Sequence, residues 1–427
     1  MRTEFINSQK NKIIEVLGIV LYNICGDKMK IIERKKYLDE LRSLKNKPDI
    51  KIITGVRRAG KSMLLSEYIK TLKRTEEDAN IILVDFNRIE FDEIKEYKKL
   101  NLHIRERFIP NVNNYVFIDE VQMCEKFELA VNDLYESKEF DIYITGSNAF
   151  LLSSDLATLF TGRYFEIEVL PFSFSEYCEY YGYNNINDAF DKYTIEGGFS
   201  GSYLYDTEKQ KSDYISNILD VVILKDIMKR NGVTDKVAME NIVAFLLDNI
   251  SNLTTPSKIT NRLKDDGIAI DHKTVGNYIS YLCEGFVFYK IKRFDIRGNG
   301  YLKTNEKYYL VDQGFRFAKL GKRYFDYGRL YENIVALELM RRGYDIYVGK
   351  LYQKEIDFVA IRGTEKIYIQ VSDNISREET LERELTPLRK INDAYPKILI
   401  ANTRHEDYDI GGIKVLDIAR CLIKDEF

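Results

Sequence analysis

Apolar residues follow two patterns along this chain. Short apolar runs with polar ends recur at Lys51–Gly55, Tyr115–Ile118 and Asp141–Gly146. Runs of this kind predict strands buried on both faces, as in a parallel sheet. From about 205 to 249 the spacing turns helical, with Ile215, Ile218, Leu219 and Val222 on one face.

A different order follows from Ser251. Pro256 opens a predicted helix carrying Ile259 and Leu263 four residues apart, and Asp265-Asp266-Gly267 supplies a turn. Asp271 caps a second helix whose inner face is Val275, Tyr278, Ile279 and Leu282. Strands over Phe286–Arg293 and Lys307–Val311, with a loop tip at Arg297–Gly300, complete the layout of a winged helix. A helix from Tyr331 is then followed by strands at Tyr344–Val348, Glu355–Ala360 and Tyr368–Ser372.

Composition narrows the class. At 427 residues the chain is long enough for roughly three domains. It is 45% hydrophobic and 31% charged, which excludes a disordered or collagen-like chain, and six prolines exclude long Pro-rich linkers. The net charge of -3 leaves nucleic-acid contact to a local basic surface. Residues 251–325 provide one, with 14 Lys and Arg against 7 Asp and Glu. Five scattered cysteines without a CxxC, and three histidines without ligand spacing, speak against a disulfide framework or a zinc site. They point to a reducing compartment, so a cytoplasmic location is expected. Val16–Gly26 holds 11 uncharged residues, short of the ~18 a spanning helix needs, so no membrane partner is expected. Residues 1–28 are read as an N-terminal extension without function. A charged amphipathic stretch opens at Met29.

The chemistry is concentrated in three places. Lys51–Leu65 carries Gly55-Val56-Arg57-Arg58-Ala59-Gly60-Lys61-Ser62-Met63, a full P-loop between a strand and a helix. Gly55 and Gly60 let backbone N–H groups turn toward phosphates, and the helix N-terminus adds its dipole. Lys61 reaches the β- and γ-phosphates, and the Ser62 hydroxyl ligates Mg²⁺. Tyr115–Ile118 ends in Asp119-Glu120, a Walker B pair in which Asp119 serves the Mg²⁺ shell and Glu120 polarises the attacking water. The third run, Asp141–Gly146, ends in Ser147 and Asn148, placed to contact the γ-phosphate or the water, or else to cap the next helix. Arg163 is a candidate arginine finger, in cis or toward a neighbouring subunit. Arg57 and Arg58 are candidates for phosphate or for acids elsewhere in the chain. Asp226 and Arg230 lie in a segment with the makings of a lid.

These motifs, with the ITGSN segment, GRYFEIEVLPFSFSEY and Gly197-Gly198-Phe199, resemble the AAA+ superfamily ATPases of archaea and bacteria that pair an ATPase core with a C-terminal domain of unknown function. The resemblance runs from about Met29 to the C-terminus. It implies ATP and Mg²⁺ as cofactors and the roles above for Gly55, Gly60, Lys61, Ser62, Asp119 and Glu120. The expected fold class is α/β, a P-loop AAA+ parallel sheet with helices on both faces, followed by a winged helix and a C-terminal restriction-endonuclease-like domain. The expected division is extension 1–28, ATPase core 29–204, helical lid or linker 205–250, winged helix 251–325 and endonuclease-like domain 326–427.

On the winged helix, Lys273, Asn277 and Ser280 face outward as a recognition helix needs, and Arg293, Arg297 and Lys303 line a basic wing. In the last domain Glu332, Glu355 and Asp357 are similar to a nuclease metal site, but Gln370 and Ser372 replace the usual acid and lysine. A neutral amide and a hydroxyl supply neither charge nor base, so lost nuclease activity is expected. The reading is a Mg²⁺-dependent ATPase coupled to a conformational switch that acts on or with double-stranded DNA. The alternatives are a nucleotide-dependent scaffold for a protein partner and, third, an ATP-dependent nuclease. The oligomeric state is open.

Overall fold

In the computed structural model the described residues are 30–146, 160, 162–298, 300–321 and 326–424, with side chains at 301–305 excepted. These described residues group into two compact units, those within 30–54 and 60–169, and those within 55–59 and 170–424.

The first unit is built on helix α1 (Lys35–Ser43), strand β1 (Ile50–Thr54), α2 (Lys61–Thr75), β2 (Asn80–Asp85), α3 (Tyr97–Arg105), β3 (Asn114–Asp119), α4 (Phe127–Ser137), β4 (Asp141–Thr145) and β5 (Tyr164–Glu168). Among the described residues these strands make one parallel sheet in the order β2-β3-β4-β1-β5. Every residue of β1 and β3 is buried, as their continuous apolar runs require. Ile52, Val84, Val116, Ile118 and Ile144 join Leu100, Val131 and Leu134 from the covering helices in one core. All five strands run in the same direction, so their carboxyl ends lie at one edge of the sheet.

The second unit begins with α5 (Phe174–Tyr181), α6 (Ile186–Glu196), α7 (Glu208–Val221), a π-helical segment (Val222–Met228) and α8 (Lys236–Asp248). Helices α9 (Pro256–Asp265) and α10 (His272–Glu284) follow, then β6 (Phe288–Asp295), β7 (Gly300–Leu310) and α11 (Gln313–Leu320). The chain closes with α12 (Tyr327–Arg341), β8 (Asp345–Leu351), β9 (Lys354–Arg362), β10 (Glu365–Ser372), α13 (Glu378–Arg389), β11 (Lys397–Ala401), β12 (Tyr408–Ile410), β13 (Ile413–Asp417) and α14 (Ile418–Ile423). The cap read from the sequence at Asp271 is present, and Thr255 supplies a second that was not singled out. Thr255 accepts from Lys258 N–H ahead of Pro256, and Asp271 accepts from the N–H groups of Lys273 and Thr274.

The β6–β7 hairpin departs from the free wing expected from sequence. β6 pairs in parallel with β8, Arg293 opposite Val348 and Asp295 opposite Lys350, so the hairpin ends an eight-stranded sheet. The order is β12-β13-β11-β10-β9-β8-β6-β7. Three-residue pairing at a strand's far end leaves no local signal in the sequence, which is why the hairpin looked self-contained.

Gly197-Gly198-Phe199 has a packing explanation. A Cβ at Gly198 would lie 2.3 Å from the Phe172 carbonyl oxygen, and one at Gly197, where φ is +73°, would lie 2.0 Å from Asp312 Oδ1. The Phe172 N–H donates to the Gly198 carbonyl, Tyr203 OH donates to the Gly197 carbonyl, and Gly198 N–H donates to Asp312. Asp312 Oδ1 also accepts from Gly314 N–H at 2.8 Å. Burial pushes the Asp312 carboxyl up to about 7, even though the Gly198 and Gly314 N–H groups pull it down.

That value lies above the unfolded one, so this carboxyl favours folding most below about pH 4. Its contribution is lost as pH rises through about 7, a change on the order of 4 kcal/mol at full burial. Thermal melts from pH 4 to pH 7 are expected to show a flatter slope for Asp312→Asn than for the wild type. Equal slopes would assign the pH dependence to other groups.

Candidate functional site

The chain leaves β1 at Thr54, turns through Gly55, where φ is +128°, and enters α2 after Gly60, where φ is +100°. Only glycine adopts both values without strain. The Gly60 carbonyl accepts from Leu64 N–H, so the helix starts at once after the loop. Lys61 is buried and Ser62 exposed at its first turn.

Within the first unit, Ser62 meets Asp119 at the carboxyl end of β3. The Ser62 and Thr145 hydroxyls both bond the Asp119 carboxylate. Burial raises the Asp119 carboxyl, these two hydroxyls lower it, and Glu120 and Asp85 raise it again. Glu120 follows at φ +54°, a left-handed turn that swings its side chain off the strand. Its N–H donates to Thr145 Oγ1 at 3.1 Å, and its carboxylate accepts from Gln122 Nε2. The group therefore joins two hydroxyls, a buried carboxylate and a half-buried carboxylate at one end of a parallel sheet. Such a donor set fits Mg²⁺, a hard cation that takes one hydroxyl and one carboxylate from protein and the rest from phosphate and water.

Thr145 and Gln122 were not singled out from sequence. Thr145 is the last residue of β4, one place beyond the Ile118–Ile144 pair, and it reaches Asp119 only because β3 and β4 are neighbours. Ser147 and Asn148, the sequence candidates here, lie outside the described residues.

Arg163 is placed elsewhere. Its carbonyl accepts from Ile50 N–H, at the amino end of β1, about 13 Å along the strand from the Asp119 end. Its guanidinium pairs with Glu136 and lies over the Tyr135 ring at 5.4 Å. Strand register thus puts Arg163 at the opposite end of the strands from Asp119, and its guanidinium is not part of the Asp119 group.

In the second unit Arg57 Nη1 lies 3.6 Å from Asp226 Oδ1. Arg58 is exposed in a left-handed conformation, φ +68°. Asp226 sits in the π-helical segment, a rare geometry that often marks functional positions.

On α10 the buried residues are Val275, Tyr278, Ile279 and Leu282, and Lys273, Asn277 and Ser280 are exposed. The hairpin arginines differ. Arg293 is half-buried with an enclosed Nε, and Arg297 lies over the Tyr352 ring at 5.2 Å. The Lys303 side chain is outside the described set.

In the C-terminal sheet Glu332, Asp357 and Ser372 are buried. Lys307, which the sequence did not suggest, reaches Glu332 and Glu355 at 2.8 Å each and Asp357 at 3.6 Å. Gln370 instead donates to Glu384 Oε2 at 3.0 Å. Burial raises the Glu332 and Asp357 carboxyls. For Lys307 burial acts downward, but the charges of Glu332, Asp357 and Glu355 outweigh it and hold the ammonium above the ordinary lysine range. Among the described residues no group of three or more His, Cys, Asp or Glu is arranged to hold a metal ion. Among the same residues no helix is long and apolar enough to cross a membrane.

The strand order, the P-loop between β1 and α2 and the acidic end of β3 define a P-loop protein of the AAA+ class. Residues 47–178 match an AAA domain (AAA_14), and residues 187–325 match a domain of unknown function (DUF8612). An uncharacterized protein of Haemophilus influenzae is 40% identical over 400 residues, 92% of this chain and 99% of its own. The uncharacterized protein MJ1544 of Methanocaldococcus jannaschii is 29% identical over 393 residues, 87% of this chain and 85% of its own. This chain belongs to the same AAA+ family as the Haemophilus protein. Solved structures similar to it include the Aeropyrum pernix ORC1 protein in complex with DNA, at 9% identity and TM-score 0.34, covering 75% of this chain and 97% of that one. AMPPCP-bound DnaA from Aquifex aeolicus is similar at 16% identity and TM-score 0.30, covering 60% of this chain and 90% of that one.

Proposed function

We propose that the protein is an ATPase whose nucleotide cycle drives a conformational switch acting on or with double-stranded DNA. The observation that carries the ATPase reading is the Ser62–Asp119–Thr145 hydroxyl and carboxylate cluster, with Glu120 held beside it by Thr145 and Gln122. Gly55–Met63 would hold the phosphates, Lys61 the β- and γ-oxygens, and Ser62 with Asp119 the Mg²⁺. Mg²⁺ supplies charge neutralisation at the phosphates when bound. Glu120 orients and polarises the attacking water. Ser147 and Asn148 remain candidates for the γ-phosphate, and Arg163 for the site of a neighbouring subunit. The Arg57–Asp226 pair supports coupling, since a P-loop residue shares a contact with a π-helical segment.

DNA contact through Lys273, Asn277 and Ser280 is supported by their exposure on one face of α10 and by the excess of basic residues over 251–325. A protein-binding switch is the second reading. It is favoured by the hairpin, which pairs with β8 instead of standing as a free wing, and where Arg293 Nε is enclosed and Arg297 lies over the Tyr352 ring. The C-terminal α/β part reads as an inactive relative of the restriction-endonuclease-like fold, with Gln370 and Ser372 where chemistry needs an acid and a lysine.

ATP turnover measured with and without duplex DNA separates the two. At about 50 mM salt DNA is expected to raise the rate several-fold, with the effect fading by about 200 mM as counterions compete. Lys273→Ala/Asn277→Ala is expected to abolish the stimulation and leave basal turnover intact. Turnover indifferent to DNA at every salt concentration would move the assignment to a protein partner.

A further inference from the structure

The Lys307 cluster is used by neither reading above. Three carboxylates converge on it from two elements, Glu332 on α12 and Glu355 and Asp357 on β9. One ammonium from β7 stands among them, 4% exposed, at 2.8, 2.8 and 3.6 Å. An ammonium has three N–H donors, and here three carboxylate oxygens lie around it. Two of the carboxylates accept further bonds. Glu332 Oε1 accepts from Tyr309 OH at 2.6 Å, and Asp357 Oδ2 accepts from Val371 N–H at 2.9 Å. Only Glu355 is open to solvent, at 32%.

We infer that Lys307 is the resident cation of this cluster, standing where a divalent ion would stand and closing it to metal. A divalent ion would need the same oxygens at 2.0 to about 2.6 Å, which the ammonium prevents by both volume and charge. The lysine therefore supplies from β7 the positive charge that Ser372 on β10 does not. It neutralises the acids and fastens the hairpin to α12 and β9. Removing it leaves two buried carboxylates and Glu355 without a counter-charge, which a divalent cation can satisfy. This inference is independent of the ATPase assignment.

The test uses the full chain, free of nucleotide and stripped with chelator, titrated with MnCl₂ while free Mn²⁺ is followed by electron paramagnetic resonance. Wild type and Asp357→Asn are expected to bind the same Mn²⁺ up to 1 mM. Lys307→Met is expected to gain one Mn²⁺ per chain, at least ten-fold tighter than any wild-type site, and Lys307→Met/Asp357→Asn to lose it. Asp357-dependent Mn²⁺ binding in the wild type would overturn the inference. So would a folded Lys307→Met chain that gains none. A second measurement needs no variant. Acetic anhydride is expected to label Lys273 and spare Lys307 in the native chain, equally with and without 10 mM Mn²⁺. Labelling of Lys307 at the rate of Lys273, or Mn²⁺-dependent labelling, would also overturn it.

Discussion

Glu120→Gln is expected to bind ATP within about three-fold of the wild type and to hydrolyse it 10²–10⁴-fold more slowly, the usual range for a lost general base. Glutamine keeps the shape of the side chain and its contact with Gln122, but it neither accepts a proton nor polarises water as a carboxylate does. The backbone hydrogen bond from residue 120 to Thr145 is untouched by the change, so the left-handed turn at φ +54° persists. Binding and chemistry are thereby separated. Filter binding and single-turnover hydrolysis on the same preparation provide the check. Undiminished hydrolysis would remove Glu120 from the mechanism and shift attention to the residues around Thr145.

Gly198→Ala is expected to cost about 3 kcal/mol or more, enough to unfold a marginal domain, because the methyl group meets the Phe172 carbonyl at 2.3 Å. Backbone cannot yield as a flexible side chain does. The obstruction also lies inside a set of bonds joining Phe172, Gly198 and Asp312, so a shift that makes room breaks at least one of them. Gly182→Ala is the matched control. Gly182 has φ +66° but open space around it, so only the left-handed strain of roughly 1 kcal/mol is expected. Urea midpoints compare the two. Equal losses would mean that the contact at Phe172 relaxes freely.

The residues of the proposed nucleotide site stand out in the sequence because chemistry and spacing coincide there. A P-loop is eight consecutive residues between a strand and a helix, and Asp119-Glu120 ends an apolar run. The cap at Asp271 was legible for the same reason, as it acts within three residues. What escaped depends on neighbours distant in the chain. Thr145 and Asp119 are 26 residues apart and meet through strand order. Lys307 and Glu332 are 25 apart and meet through packing of α12 on β7. The distance of Arg163 from Asp119 was not legible, because a residue's position along a strand follows from register, and register is not written in any short motif.

The parallel contact between β6 and β8 bears on how this protein can be divided. The DUF8612 match ends at residue 325, between β7 and β8, so a gene fragment cut there would separate two strands from the sheet they complete. The remaining piece would present the bare side of β8, a row of unsatisfied N–H and C=O groups of the kind that recruits another chain. The boundary that looks natural in the sequence is thus a poor place for scissors: insolubility of an isolated C-terminal fragment would report a stripped sheet margin rather than an intrinsically unstable fold.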